Sequence, residues 1–219
     1  MNIEPFYHVN LVYVKSKVPS FVLEELKQEA KNILENPNQF KKINDDLAGN
    51  IEQEYQTSKG REILQPYLIS LADEYFKCSE KHKQNLGCPH WHIDDVWINF
   101  QKKYEYNPLH NHTGNLSFVL WVQIPYELKD ELSLPNCVNS NTPTNSLFQF
   151  TYTNLKGEVI SDHLNIDKSC EGSIIMFPSF LNHLVYPFYT SDEYRISMSG
   201  NILKKPQSPT KNTSSYEYR

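Results

Sequence analysis

No stretch of this 219-residue chain approaches the roughly 18 consecutive apolar residues of a membrane-spanning helix. The first residues, Met1-Asn2-Ile3-Glu4-Pro5, carry neither the basic nor the apolar segment of a secretory leader. Cysteine is sparse. Cys78, Cys88, Cys137 and Cys170 form no Cys-x-x-Cys pair, which points to reduced thiols in a reducing compartment rather than to a disulfide framework. These absences lead us to expect a cytosolic protein without a membrane, in the host cytoplasm if the chain is viral. Positive charge is also in deficit, with a formal charge of −5 at pH 7 and a pI near 5.9. Proteins dedicated to polyanions are usually basic, so nucleic acid drops down the order of partners.

What is present fits one domain with a substantial core, over residues 1–203. A short apolar run, 9–14, reads as an opening strand. From Ser20 the pattern turns helical: Val22, Leu26, Ala30 and Ile33 recur at three- and four-residue spacing, Ser20 can cap, Glu24 and Glu25 suit the N-terminal dipole, and Pro37 stops the run. A second stripe, Leu64, Tyr67, Leu68, Leu71, Ala72, Tyr75 and Phe76, predicts another helix that Gly87 can end; Pro66 must start or kink it. These two helices make a layer over 18–87.

From residue 96 to 203 the chain reads as strands: 96–101, 116–124, 147–153, 159–166, 172–177, 182–186 and 194–200. They are short, rich in β-branched and aromatic residues, and separated by Pro, Asn, Gly and Asp. Helices followed by many short strands predict a mainly β protein with flanking helices, in which an N-terminal helical layer precedes a sandwich or jelly roll. Residues 132–145 read as a long loop over the mouth or a disordered excursion, and residues 204–219 as a disordered polar tail.

The chemistry sits in a split constellation: His110-Asn111-His112, then His183, then Arg195-Ile196-Ser197. Residues two apart share a face of a strand, so His110 with His112, and Arg195 with Ser197, can each look into one cavity. Imidazole suits iron, zinc or copper. An arginine fork matches a carboxylate with two bonds, and a neighbouring hydroxyl adds a third. In the strand 96–101, Trp97 and Asn99 alternate with Val96, Ile98 and Phe100, which turns Asn99 toward the same cavity.

The segments 107–121, 177–188 and 195–201 resemble the iron(II)/2-oxoglutarate-dependent oxygenase family of cyanobacterial phages and marine bacteria. The resemblance covers about residues 96–201 and implies a cupin-like double-stranded β-helix. It makes His110 the proximal and His183 the distal ligand of Fe(II), and Arg195 with Ser197 the clamp for the distal carboxylate of 2-oxoglutarate; the alternation in the strand 96–101 adds Asn99 as a residue that can touch this co-substrate. The resemblance further implies a dioxygenase that couples 2-oxoglutarate decarboxylation to hydroxylation of a protein or small-molecule substrate; a homodimer stays open. One departure stands out. The usual oxygenase pattern is His-x-Asp/Glu followed by His, and here His112 stands where the carboxylate would be.

A rival motif lies upstream, in His90-Trp91-His92-Ile93-Asp94-Asp95, where His92 and Asp94 make a literal His-x-Asp. It ranks second because it precedes the strand 96–101 and lacks a glycine turn into the next one. Cys88 with His90 and His92 also suggests zinc, but no second Cys/His pair at zinc-finger spacing follows. His8, His82 and His163 lack identifiable partners, and the acidic residues of the two helices read as solvated faces. The reading of another class is a non-catalytic jelly-roll binding or virion-associated module with a vestigial metal pocket.

Overall fold

A computed structural model describes residues 13–79 and 89–205. In chain order the elements are β1 (Val14–Lys17), α1 (Ser20–Glu35), β2 (Gln53–Gln56), α2 (Ser58–Ser79), β3 (Trp91–Gln101), β4 (Asn107–His110), β5 (Leu116–Gln123), α3 (Leu128–Leu132), β6 (Phe148–Thr153), β7 (Val159–Leu164), β8 (Ser173–Pro178), β9 (Asn182–Val185) and β10 (Arg195–Lys204). Most of the opening run 9–14, the stop at Gly87, Cys88, His8, His82 and the tail from 206 onward lie outside the described residues.

The strands form two antiparallel sheets. The larger has the order β1-β8-β5-β10-β3-β2 and the smaller β4-β9-β6-β7. This is a jelly roll whose outer face carries the two long helices, as the order of helical and strand patterns predicts.

Period-two alternation sorts the larger sheet's residues into two cores. Val96, Ile98 and Phe100 of β3 and Ile196, Met198 and Ile202 of β10 join Val22, Leu26, Ala30 and Ile33 of α1 and Leu64, Leu68 and Ala72 of α2 in one cluster. The opposite faces of β5 and β8 send Val119, Trp121, Ile175 and Phe177 into the gap between the sheets, where they meet Phe148 and Phe150 of β6. Full burial of side chains such as Leu26, Leu64 and Leu68 contributes about 1.5–3 kcal/mol each, so the helical layer is bonded to the sheet by its apolar stripe.

The helix ends differ in detail from the expectation. Pro19, not Ser20, is the N-cap of α1, with no side-chain cap, and no acidic residue lies in its first turn. Asn36 closes it one residue before Pro37. Pro66 neither starts nor ends α2, which begins at Ser58 and runs through it; the exposed ring faces away from the core. Glu29 of α1 is buried rather than solvated and accepts a hydrogen bond from Thr57 Oγ1 at 3.0 Å. The segment 132–145 is no loose excursion: Cys137 is buried, and Asn145 Nδ2 donates to the Glu131 carbonyl at 3.0 Å. Cys78, Cys137 and Cys170 are free. No helix among the described residues is long and apolar enough to cross a membrane.

β10 pairs on both sides, with β3 and with β5, and its register against β3 shifts between Gly200 and Ile202. A Cβ built at Gly200 would stand 2.4 Å from the Asp95 carbonyl oxygen and 2.8 Å from a ring carbon of Phe118. Only glycine fits that crossing. Gly200→Ala should therefore destabilise the protein by about 1–3 kcal/mol, as overpacking does, and urea unfolding of the variant against the parent would measure it. An unchanged midpoint would show that β3 and β10 separate freely at this point.

Candidate metal centre

His110 ends β4 and His183 lies opposite it on β9, paired Cα to Cα. His112 lies beyond the strand end, where its backbone N–H donates to the Ser179 carbonyl at 2.8 Å. The three rings converge with centroid separations of 4.3 Å (His110–His183), 4.9 Å (His110–His112) and 5.1 Å (His112–His183). One nitrogen from each lies within 4.8 Å of the others. Donors on one octahedral face at ordinary metal–nitrogen distances stand about 3 Å apart, so modest ring rotation closes the set on one ion.

The surrounding bonds prepare these rings as ligands. His110 Nδ1 donates to the Pro108 carbonyl at 2.7 Å and His183 Nδ1 to the Leu181 carbonyl at 2.9 Å. The proton is thereby held on Nδ1, and Nε2 keeps its lone pair, the usual arrangement behind a metal-bound imidazole. Phe148 stacks on the His183 ring at 5.5 Å, and Phe177 meets its plane at 4.9 Å. Burial in this aromatic cage, together with the neighbouring imidazoles, pushes His183 down to about 3. Burial and His110 push His112 down to about 4, and burial lowers His110 as well. All three are neutral at pH 7, the form that binds metal.

The cavity in front of the histidines is floored by the inner face of the larger sheet: Trp97, Asn99 and Gln101 from β3, Arg195, Ser197 and Ser199 from β10. His183 and Arg195, twelve residues apart in sequence, do not sit on adjacent strands. β9 belongs to the smaller sheet and β10 to the larger, so the two side chains face each other across the sandwich. Ser197 Oγ accepts a hydrogen bond from Asn99 Nδ2 at 3.2 Å, which leaves the serine proton free to donate into the cavity.

Arg195 departs most from the expectation. It is buried, and four of its five N–H groups are taken by neutral acceptors: Nε by Gln101 Oε1, Nη1 by the Tyr126 hydroxyl and the Ser146 carbonyl, Nη2 by the Tyr186 carbonyl. One Nη2 proton remains, so a free two-pronged fork is not what the cavity offers. Yet among the described residues no carboxylate forms a salt bridge with the guanidinium. A buried cation without a counter-ion is costly, and an anion that takes the last N–H would repay it.

The rival motif lies elsewhere. His92 and Asp94 are within β3, not before it, and both are exposed; the only cluster of metal-ligating side chains among the described residues is His110, His112 and His183. His163, on β7, bonds Gln149 Oε1 at 2.8 Å. The sequence reading missed Gln101 and Tyr126, which hold Arg195. It also missed Glu54 on β2, which lines the cavity, is fully buried, and is pushed up to about 8 by burial and by the nearby Glu105 carboxylate. Beyond His112 a second cavity of about 320 Å³ shares Leu47, Trp97 and His112 with the first, and Lys41 and Asp95 line its wall.

A family model described as "Putative 2OG-Fe(II) oxygenase" matches residues 95–201. That span is just under half of the chain and carries the histidines, Arg195, Ser197 and Asn99. No curated protein matches the chain. Among solved structures, a Pseudomonas putida prolyl-4-hydroxylase is similar at 10% identity and a TM-score of 0.53, over 89% of this chain and 93% of that one. AviO1 from Streptomyces viridochromogenes Tue57 is similar at 10% identity and a TM-score of 0.54, over 91% and 92%. The epimerase SnoN, in a structure with Fe3+, alpha ketoglutarate and nogalamycin RO, is similar at 12% identity and a TM-score of 0.56, over 88% and 78%. At these identities the neighbours share the fold. The family match covers the stretch that holds the candidate site, and the neighbours place that stretch in a shared fold.

The lowered histidines set a pH dependence. In the unfolded chain they titrate near the ordinary 6.5, whereas His112 and His183 stay neutral down to about 4 and about 3. Below pH 6.5 unfolding therefore takes up protons, and the metal-free protein loses stability as pH falls toward 4. Thermal melts between pH 7.5 and 5 should show a decline that becomes shallower in His112→Asn. An identical decline in the variant would mean that His112 is protonated in the folded protein.

Proposed function

We propose that this chain is a non-haem iron(II) dioxygenase that couples 2-oxoglutarate decarboxylation to hydroxylation of a substrate. The observation that carries the reading is one cavity shared by three metal-ready imidazoles and a buried arginine with no acidic partner. His110, His112 and His183 hold the metal, His112 taking the place of the usual carboxylate. When bound, iron supplies the redox chemistry with dioxygen. Three neutral ligands leave the ion its full charge, which strengthens its hold on an anionic co-substrate.

The chain's own residues then bind and orient. The charge of Arg195 and its one remaining N–H, with the hydroxyl proton of Ser197, receive the distal carboxylate of 2-oxoglutarate. Asn99 acts through Ser197, fixing the direction of that hydroxyl. Phe148, Phe177 and Trp121 keep water from the ring faces and from the carboxylate, which strengthens each of these bonds. Helical layer and jelly roll act as one oxygenase domain, because Leu26, Leu64 and Leu68 share a core with Ile98, Phe100 and Met198.

Anaerobic titration of 2-oxoglutarate into iron(II)-loaded protein should raise a metal-to-ligand charge-transfer absorption that His183→Ala abolishes, and admission of oxygen should yield succinate. Ser197→Ala should keep iron and weaken 2-oxoglutarate by about 0.5–2 kcal/mol, the worth of one hydrogen bond to a charged group. Arg195→Met should weaken it by about 2–5 kcal/mol and also lower the melting temperature, since four acceptors lose their donor. A protein that binds neither iron nor 2-oxoglutarate, with a melting temperature indifferent to both, belongs to the non-catalytic jelly-roll reading instead.

A further inference from the structure

Two strands from Arg195 on the same sheet, the cavity holds an acid that lacks a partner. Glu54 is fully buried, and its Oε1 has no hydrogen-bond partner. Its only side-chain bond is a long one, 3.4 Å, to Oε2 from Asn44 Nδ2. Asn44 is itself committed to the Ile51 carbonyl. No lysine or arginine pairs with Glu54 among the described residues, and the charge that acts on it is the like-signed Glu105.

The neighbouring strand repeats the defect. Glu54 is paired in register with Asn99, so their side chains project from the same face of the sheet as cross-strand neighbours about 5 Å apart at Cβ. Asn99 donates its Nδ2 to Ser197, and its Oδ1, also buried, is likewise unpartnered. Two acceptor oxygens on adjacent strands thus line one cavity, and neither has a donor. Buried acceptors left unpaired are costly, so a protein that carries two side by side gains from a ligand with N–H groups. Of such ligands a cation gains most, because its charge stabilises the ionised form of Glu54 that burial disfavours. The loop that roofs Glu54 passes close, because a Cβ on Gly49 would stand 3.1 Å from Glu54 Oε1, so the group that reaches this oxygen must be small, as a primary ammonium is.

We propose that Glu54 Oε1 and Asn99 Oδ1 form an amine subsite that receives the protonated primary amine of the substrate. The name of substrate rests on the oxygenase reading; the amine-binding property does not. Arg195 takes the anionic co-substrate and Glu54, two strands away on the same sheet, the cationic group, with the three histidines lining the same cavity. A substrate so held offers a carbon near its amine to the metal-facing part of the cavity. It enters from the second cavity, past Leu47 and Trp97, which border both.

The test uses n-butylammonium, butan-1-ol and butyrate as probes on the full chain loaded with Mn(II), with and without 2-oxoglutarate. Broadening of the probe's proton resonances by Mn(II) reports both binding and closeness to the metal. Butylammonium should broaden and bind at least tenfold more tightly than butanol or butyrate. Glu54→Gln, which keeps the shape but loses the charge, should weaken it at least tenfold, while Mn(II) and 2-oxoglutarate affinities stay as in the parent. Glu54→Asp should recover part of the loss. Equal affinity for butylammonium and butanol, or full affinity in Glu54→Gln, would overturn the proposal; so would absence of any probe binding, which would mean that Glu54 is kept as a neutral acid bonded inside the protein. Failure of the oxygenase reading looks different: 2-oxoglutarate would not bind, while butylammonium would still bind metal-free protein and still depend on Glu54, read there by its chemical-shift changes.

Discussion

The antiparallel pairing of β10 with β3 is the constraint on which the rest depends. Its register joins Arg195 to Gln101, Ser197 to Asn99 and Ser199 to Trp97, so every polar side chain of the cavity floor is placed by one ladder of backbone hydrogen bonds. A slip by one residue would turn Ile196 and Met198 into the cavity and Arg195 into the helical core. The slip is prevented from both sides: the apolar set is required by α1 and α2, and Gly200 admits the Asp95 carbonyl where no other residue could.

With that floor fixed, the smaller sheet has only to bring its histidines over it. β4 and β9 do so by pairing His110 with His183, and the turn after β4 adds His112. Electrostatic matching follows from burial. The imidazoles are kept neutral by being dry and close together, Arg195 is held by four neutral acceptors and no carboxylate, and Glu54 keeps an oxygen without a donor. Each of these costs the empty protein stability, and each is a demand for a bound group of defined charge: a cation at the histidines, an anion at Arg195, a donor at Glu54. Polar groups stored in this way are commonly found where ligands bind.

Much of the fold was legible because it rests on periodicity. The buried apolar residues of α1, Val22, Leu26, Ala30 and Ile33, are the apolar stripe itself, and the seven strands read from residue 96 onward exist with ends shifted by a few residues, most at the start of β3 and the end of β10. The short strands β2 and β4 were not legible. Gln53–Gln56 is polar throughout but for Tyr55, and Asn107–His110 contains a proline; both are strands only because a neighbour pairs with them. Within the cavity, His110, His112, His183, Arg195, Ser197 and Asn99 stand together; spacing of two reports a shared strand face for Arg195 and Ser197, whereas His112 lies past the end of β4 and joins His110 through the turn. Glu54 gave no signal, because burial of a single acid in a short edge strand is decided by the roof above it, residues 47–51, and not by its own neighbours in sequence. The occupied state of Arg195 was equally hidden: Gln101, Tyr126, Ser146 and Tyr186 come from four separate places in the chain.

The central claim is that three imidazoles, and no carboxylate, hold the metal. X-ray absorption at the iron edge of the anaerobic iron(II) protein tests it most directly, because the outer carbon and nitrogen atoms of each imidazole scatter in a pattern whose strength counts the rings. The account predicts three imidazoles per iron in the parent and two in His112→Ala. Two imidazoles with a carboxylate oxygen in the parent, and a spectrum that His112→Ala leaves untouched, would contradict it.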